Sequence, residues 1–247
     1  WIASMTKPIT AVAVALLVDE GKLSFDDPVE KYLPEFKSQW VEQSRANGQT
    51  VLVRAAGPVT VADLLTHSRG MGEYPVTSPH WTSSEMIKVV AREPLRFQPG
   101  TKWAYSTAGL DTASRIVEVV SGQSFARFMQ TRLFDPLAMK DSSFWIKPAT
   151  AARYVKSYRP GATAGTLKEE TIAYMYGGAV TDTQRPPLGG AGLFATAADV
   201  THFYQMMLNG GVYHGRRLLK AETVATMTRN QIGTLTARAG MPWGYGF

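Results

Sequence analysis

An α+β fold in which helices predominate is what this 247-residue sequence predicts, and three observations carry the prediction. Apolar residues recur at helical spacing in several segments, most of them opened by a Ser or Thr and closed by Gly, Pro or Asn-Gly. The strand candidates are few and short. No linker, internal repeat or low-complexity tract divides the chain, so helices and strands belong to one body.

Ser4 to Glu20 is apolar at Ile9, Val12, Val14, Leu16, Leu17 and Val18 and is followed by Gly21, the pattern of a mostly buried helix with a glycine C-cap. Pro8 falls in its first turn, where a missing N–H costs little. Lys22 to Phe36 carries two prolines and alternating charges and reads as turns with one short helix. Ser38 to Gly57 is polar around the patch Val51 to Val53, a short strand or hairpin. Thr60 caps a short helix, Val61 to Thr66, that breaks at the loop His67-Ser68-Arg69-Gly70-Met71-Gly72.

Thr82 and Glu85 form a capping box for a helix ending before Pro94. Phe97-Gln98-Pro99-Gly100 then turns the chain into Trp103-Ala104-Tyr105-Ser106. A longer helix spans Ala108 to Val120 and ends at Ser121-Gly122, and Ser124 caps the next, Phe125 to Leu133. Trp145 to Gly190 has poor periodicity and frequent Gly, Pro and Thr, which predicts a long irregular connection. Thr196 with Asp199 opens the helix Ala197 to Leu208, stopped by Asn209-Gly210-Gly211. Strand candidates Val212 to Leu218 and Trp243 to Phe247 flank a last helix near Glu222 to Thr228.

Composition narrows the function classes. At 45% hydrophobic and 19% charged, with no Cys, the chain is neither disordered nor disulfide-stapled, and it has no thiolate metal site and no Cys nucleophile. The net charge of +6 is a mild bias that identifies no partner, and Lys and Arg are scattered rather than striped, which argues against nucleic-acid binding. The apolar run Ile9 to Val18 is about half the ~20 residues of a membrane span. No targeting segment is visible, so the compartment stays open, and oligomeric state has no signature here.

The chemistry is concentrated in Ser4-Met5-Thr6-Lys7, an S-x-x-K tetrad at the start of the first helix. A spacing of three stacks hydroxyl and amine on one face. Serine is a poor nucleophile until a neighbour takes its proton, and a lysine amine does so where burial and nearby charge favour its neutral form. Taken alone, the tetrad reads first as an ordinary N-cap serine beside a solvated lysine.

Its surroundings resolve the choice. The tetrad, then Asp19-Glu20-Gly21-Lys22-Leu23, Leu64-Leu65-Thr66-His67-Ser68-Arg69-Gly70, Pro99-Gly100 with Tyr105-Ser106, and Gly189-Gly190-Ala191-Gly192-Leu193 resemble, in family order, the serine β-lactamase and penicillin-binding superfamily. Thr196-Ala197-Ala198-Asp199-Val200 and Leu208-Asn209-Gly210-Gly211 continue the resemblance, whose closest branches are class C β-lactamases, D,D-carboxypeptidases and family VIII carboxylesterases. It implies an antiparallel sheet flanked by helices plus a helical domain. It also implies that Ser4 is the acylated nucleophile, Lys7 its partner base and Tyr105 the second proton carrier, with the Ser4 N–H as half of an oxyanion hole. Tyrosine, with an ordinary pKa of about 10, serves as a base only beside a cation that stabilises its phenolate.

Two departures refine the expectation. The family's Tyr-x-Asn reads Tyr105-Ser106-Thr107 here. A Thr hydroxyl reaches less far than the amide that anchors lactam and peptide side chains, and simple esters need no such anchor. The family's third motif, Lys/His/Trp-x-Gly, is expected beyond Phe247, and the sheet strands are expected before Trp1 and after Phe247, so residues 1–247 read as the central part of one domain. The expected function is a carboxylesterase of short acyl or aryl esters working through an acyl-enzyme. A class C-like β-lactamase or D,D-peptidase is the alternative, and a penicillin-binding sensor or non-catalytic paralogue is the alternative of another class.

Other signatures are absent. There is no Gly-x-Ser-x-Gly elbow, and His67, His80, His202 and His214 lack metal-ligand spacing, so no cofactor or metal is expected. His67 reads as bracing its loop by hydrogen bonding. Gln205 in Gln205-Met206-Met207-Leu208-Asn209 cannot accept a proton as Glu would, and Tyr204, Met206 and Met207 read as core contacts. Substrate specificity is expected in the loops Gly72 to Trp81 and Thr163 to Arg185.

Overall fold

The computed structural model describes residues 1–44, 48–72, 80–170, 178–237 and 240–247. Its centre is α1 (Thr6–Asp19), preceded by a 3-10 turn over Ala3–Met5. Every residue of α1 from Thr6 to Leu17 is buried, as expected of a helix that is apolar all round. It ends as the sequence predicts: Gly21 takes φ +69° and the Lys22 N–H returns to the Leu17 carbonyl at 3.0 Å.

Helix α2 (Val61–Thr66) and α3 (Ser83–Arg92) both begin with full capping boxes, Thr60 with Asp63 and Thr82 with Glu85. Helix α4 (Thr107–Ser121) is capped by Ser106 and packs against α1, α2 and α3. Helix α5 (Phe125–Met129) continues into a π-turn over Gln130–Phe134 instead of remaining α-helical to Leu133; the Asp135 N–H donates to the Gln130 carbonyl at 2.9 Å. Helices α6 (Ala197–Leu208) and α7 (Ala221–Thr228) complete the set, with Phe203, Met206 and Met227 fully buried. One apolar cluster runs from Ile9 to Tyr245, so a single core serves the helices. Among the described residues no helix is long and apolar enough to cross a membrane.

The named strands form three antiparallel two-stranded hairpins: β1 (Trp40–Ser44) with β2 (Thr50–Arg54), β3 (Ser157–Pro160) with β4 (Leu167–Glu170), and β5 (Val212–Tyr213) with β6 (Arg216–Arg217). Two expectations change. The segment from Trp145 to Gly190 is not wholly irregular, since it holds a 3-10 turn at Pro148–Arg153 and the β3–β4 hairpin. That hairpin is exposed along nearly its whole length, so it carries no buried face from which alternation could be read.

The second change is at the C-terminal side, where Trp243 to Phe247 forms no strand. Its N–H groups go to separate partners, Tyr245 to the Met227 carbonyl at 2.8 Å and Gly246 to the Leu65 carbonyl at 3.1 Å. Val212 to Leu218 shrinks to a two-residue pair on each side of His214 and Gly215, both of which have positive φ, the condition for a tight hairpin turn.

Candidate functional site

Ser4 lies on the 3-10 turn and Lys7 in the first turn of α1. In 3-10 geometry residues three apart eclipse, and Lys7 Nζ stands 3.2 Å from Ser4 Oγ. The turn is held from both sides. Ala3 has φ +48°, rare for a residue with a Cβ, and its carbonyl accepts the Thr6 hydroxyl at 2.6 Å. Ser4 is exposed, whereas Lys7 is only 2% exposed. Ser4 therefore faces solvent and its amine neighbour is sunk in the protein.

The second anchor of Lys7 is 183 residues away. Lys7 Nζ donates to the Gly190 carbonyl at 2.7 Å, and the Thr10 hydroxyl donates to the Gly189 carbonyl at 2.7 Å. On its other side the Gly190 N–H donates to Asp111 Oδ1 of α4 at 2.7 Å. The chain threads between α1 and α4 at this point, and a Cβ on Gly190 would lie 2.4 Å from Thr107 Cγ2 and 2.7 Å from the Thr107 carbonyl. Only glycine fits, and this is why a Gly-Gly pair can present its carbonyls to Lys7 and Thr10.

Tyr105 comes from the segment before α4. Its ring centroid is 4.7 Å from Lys7 Nζ, and the residue is 40% exposed. The neighbouring Ser106 is buried and caps α4 by accepting the Gly109 N–H at 3.3 Å. Around Tyr105 stand His67 at 4.5 Å between ring centroids, and Trp103 and Trp243, both at 6.3 Å. Ser4 and Lys7, predicted from one tetrad, and Tyr105, predicted from a second motif, are thus brought to one place around the Lys7 amine.

His67 is buried, and its Nδ1 accepts the Ser106 N–H at 3.2 Å. Burial first, and then the charge of Lys7, push its pKa down to about 3, against a smaller opposing effect of the Ser106 hydrogen bond. The imidazole is neutral, with its proton on Nε2 by inference from Nδ1 acting as acceptor. The expectation that it braces its loop agrees with these contacts.

The Gly190 carbonyl, Asp111 and Trp243 are site components that motif reading of the sequence did not single out. Gly189-Gly190 was visible as a motif, but its role needs α1 and α4 to pack around it. Asp111 and Trp243 carry no local signal. A separate cavity of about 320 Å³, lined by Trp145, Arg153, Tyr154 and Phe194 among others, includes none of Ser4, Lys7 and Tyr105. The two loops expected to set specificity lie partly outside the described residues, at 73–79 and 171–177. Among the described residues no cluster of His, Asp or Glu has the makings of a metal site.

The Beta-lactamase family model matches residues 2–247. The chain is 33% identical over 250 residues to the lovastatin esterase of Penicillium rubens, covering 94% of this chain and 60% of that protein. It is 30% identical over 275 residues to esterase EstB of Burkholderia gladioli, covering 100% of this chain and 65% of EstB. The chain therefore spans less than two thirds of the length of these relatives. EstCE1, described as a hydrolase with promiscuous acyltransferase activity, superposes with a TM-score of 0.75 at 22% identity over 99% of this chain and 67% of its own, a likeness of fold.

Proposed function

The chain belongs to the Beta-lactamase family, and from that premise we propose that it is a serine hydrolase that acylates Ser4 and acts as a carboxylesterase on short acyl or aryl esters. The observation that carries this reading is the placement of the Lys7 amine, 3.2 Å from an exposed Ser4 hydroxyl and 4.7 Å from the Tyr105 ring. In the proposed reaction Ser4 Oγ attacks the ester carbonyl while its proton passes to Lys7 and Tyr105. The Ser4 N–H supplies half of the site for the developing oxyanion. The same pair returns the proton to the departing alkoxide as the C–O bond breaks, and water then cleaves the acyl-enzyme by the reverse sequence.

The choice of esters over lactams rests on Thr107 in place of the family's Asn and on relatives named as esterases. Thr107 Cγ2 sits against the Gly190 backbone, so this side chain is partly engaged in packing. The test is hydrolysis of p-nitrophenyl butyrate by the protein and by Ser4→Ala. Turnover lost in the variant supports the reading, and equal rates overturn it. Turnover of a chromogenic cephalosporin at a higher kcat/KM than the ester would favour the lactamase alternative. A stoichiometric adduct on Ser4 persisting for hours would favour a sensor, and no adduct with any acylating probe would favour a non-catalytic paralogue.

A further inference from the structure

His67 touches Tyr105 in a way that bracing a loop does not require. It closes α2 in the left-handed conformation, φ 61° and ψ 27°. From there its backbone carbonyl accepts the Ala104 N–H at 2.9 Å, and its Nδ1 accepts the Ser106 N–H at 3.2 Å. One residue thus holds the backbone N–H groups of both neighbours of Tyr105. Its ring lies tilted by 34° against the phenol ring at 4.5 Å. Trp243 and Trp103 pack on it edge-wise at 5.1 and 5.8 Å.

His67 is not placed to move protons itself. Its Nδ1 is occupied by a backbone N–H, and its buried Nε2 has no hydrogen-bond partner among the described residues. A charged imidazole here would be buried with no carboxylate partner beside it among its contacts with the described residues and would turn Nδ1 from acceptor to donor, expelling the Ser106 N–H. The side chain is useful in this place only as an uncharged ring with one acceptor.

We propose that His67 is a positioning residue for Tyr105: its carbonyl and Nδ1 bracket the chain at Ala104 and Ser106, and its ring supports the phenol, so that Tyr105 stands over the Lys7 amine. The inference rests on the reading of Ser4, Lys7 and Tyr105 as the reacting groups, and one measurement below does not depend on that reading.

Three variants separate the contributions. His67→Asn keeps an acceptor near the Nδ1 position and tolerates the left-handed conformation. His67→Gly tolerates that conformation but supplies neither acceptor nor ring. His67→Phe keeps ring and volume without the acceptor, and serves if the glycine variant does not fold. Hydrolysis of p-nitrophenyl butyrate is measured for each, together with nuclear Overhauser contacts between the Lys7 side chain and the Tyr105 ring. In His67→Gly and His67→Phe, kcat is expected to fall by about 10- to 100-fold with KM within about twofold, as for a misplaced proton carrier.

His67→Asn, which keeps the acceptor and loses the ring, is expected to have a kcat between wild type and the other two variants, and the Lys7–Tyr105 contact is expected in wild type and, weakened, in His67→Asn only. Folded Gly and Phe variants that retain both kcat and the contact overturn the proposal. So does an Asn variant as impaired as the others. Should the wild type not hydrolyse the ester while the contacts still follow this order, the catalytic reading fails and the positioning role stands.

Discussion

Lys7 reaches a solvent-exposed hydroxyl from a buried position, and this contrast sets the expectations at the scale of single residues. Lys7→Met retains the buried stem and removes the amine; esterase kcat/KM should fall by about 10²- to 10⁴-fold with the fold intact, as measured by steady-state kinetics alongside circular dichroism. Lys7→Arg should not rescue it, because a guanidinium remains charged and cannot serve as a base. Tyr105→Phe keeps the ring over Lys7 and loses the hydroxyl, and a loss of similar order in kcat would support its role as second proton carrier. Thr107→Asn restores the amide of the family's motif. Its acylation by a chromogenic cephalosporin should rise relative to its rate on p-nitrophenyl butyrate, and an unchanged ratio would remove Thr107 from the specificity argument.

Elements act by bringing those residues to the same place. The Gly189-Gly190 segment runs between α1 and α4 with no room for a side chain at Gly190. Gly190→Ala should therefore displace the carbonyl that accepts from Lys7, lowering the melting temperature and cutting esterase activity together; a stable, fully active variant would contradict the account of this crossing. Helix α2 offers the converse. Thr60 is part of a complete capping box far from Ser4 in the chain, and Thr60→Ala should cost about 1 kcal/mol in urea unfolding while leaving kcat/KM unchanged. The capping signals at Thr60, Thr82, Ser124 and Thr196 are local, spanning three or four residues, and each helix starts where its signal stands. The exposed β3–β4 hairpin has no such signal; its backbone pairing is accompanied by the Arg159–Glu170 and Lys156–Glu169 ion pairs at 3.1 and 2.9 Å.

For the whole molecule, the buried neutral His67 links stability to pH. An unfolded chain takes up a proton on this side chain near pH 6.5, the folded one only near pH 3, so between these values the unfolded state binds more protons and stability rises with pH. The folding free energy is full above about pH 6.5 and erodes as pH falls towards 3. Asp27, Asp141 and Asp182, held below their ordinary range by hydrogen bonds to Tyr32, Arg153 and the Gln184 backbone, add losses only at more acid pH. Urea unfolding at pH 7.5 and 5.0 should show wild type losing on the order of 2 kcal/mol more than His67→Phe, and equal losses would remove His67 as the source. The sequence by itself determined the helices, their caps, the S-x-x-K stacking of Ser4 on Lys7 and the family likeness, because each depends on contacts within a few residues or on the order of motifs along the chain. Only the tertiary structure decided that Tyr105 stands over Lys7, that Gly190 supplies Lys7 with its second acceptor and that His67 holds both flanks of Tyr105. Those contacts join residues 37 to 183 positions apart, and they exist only once α1, α2 and α4 have packed around one core.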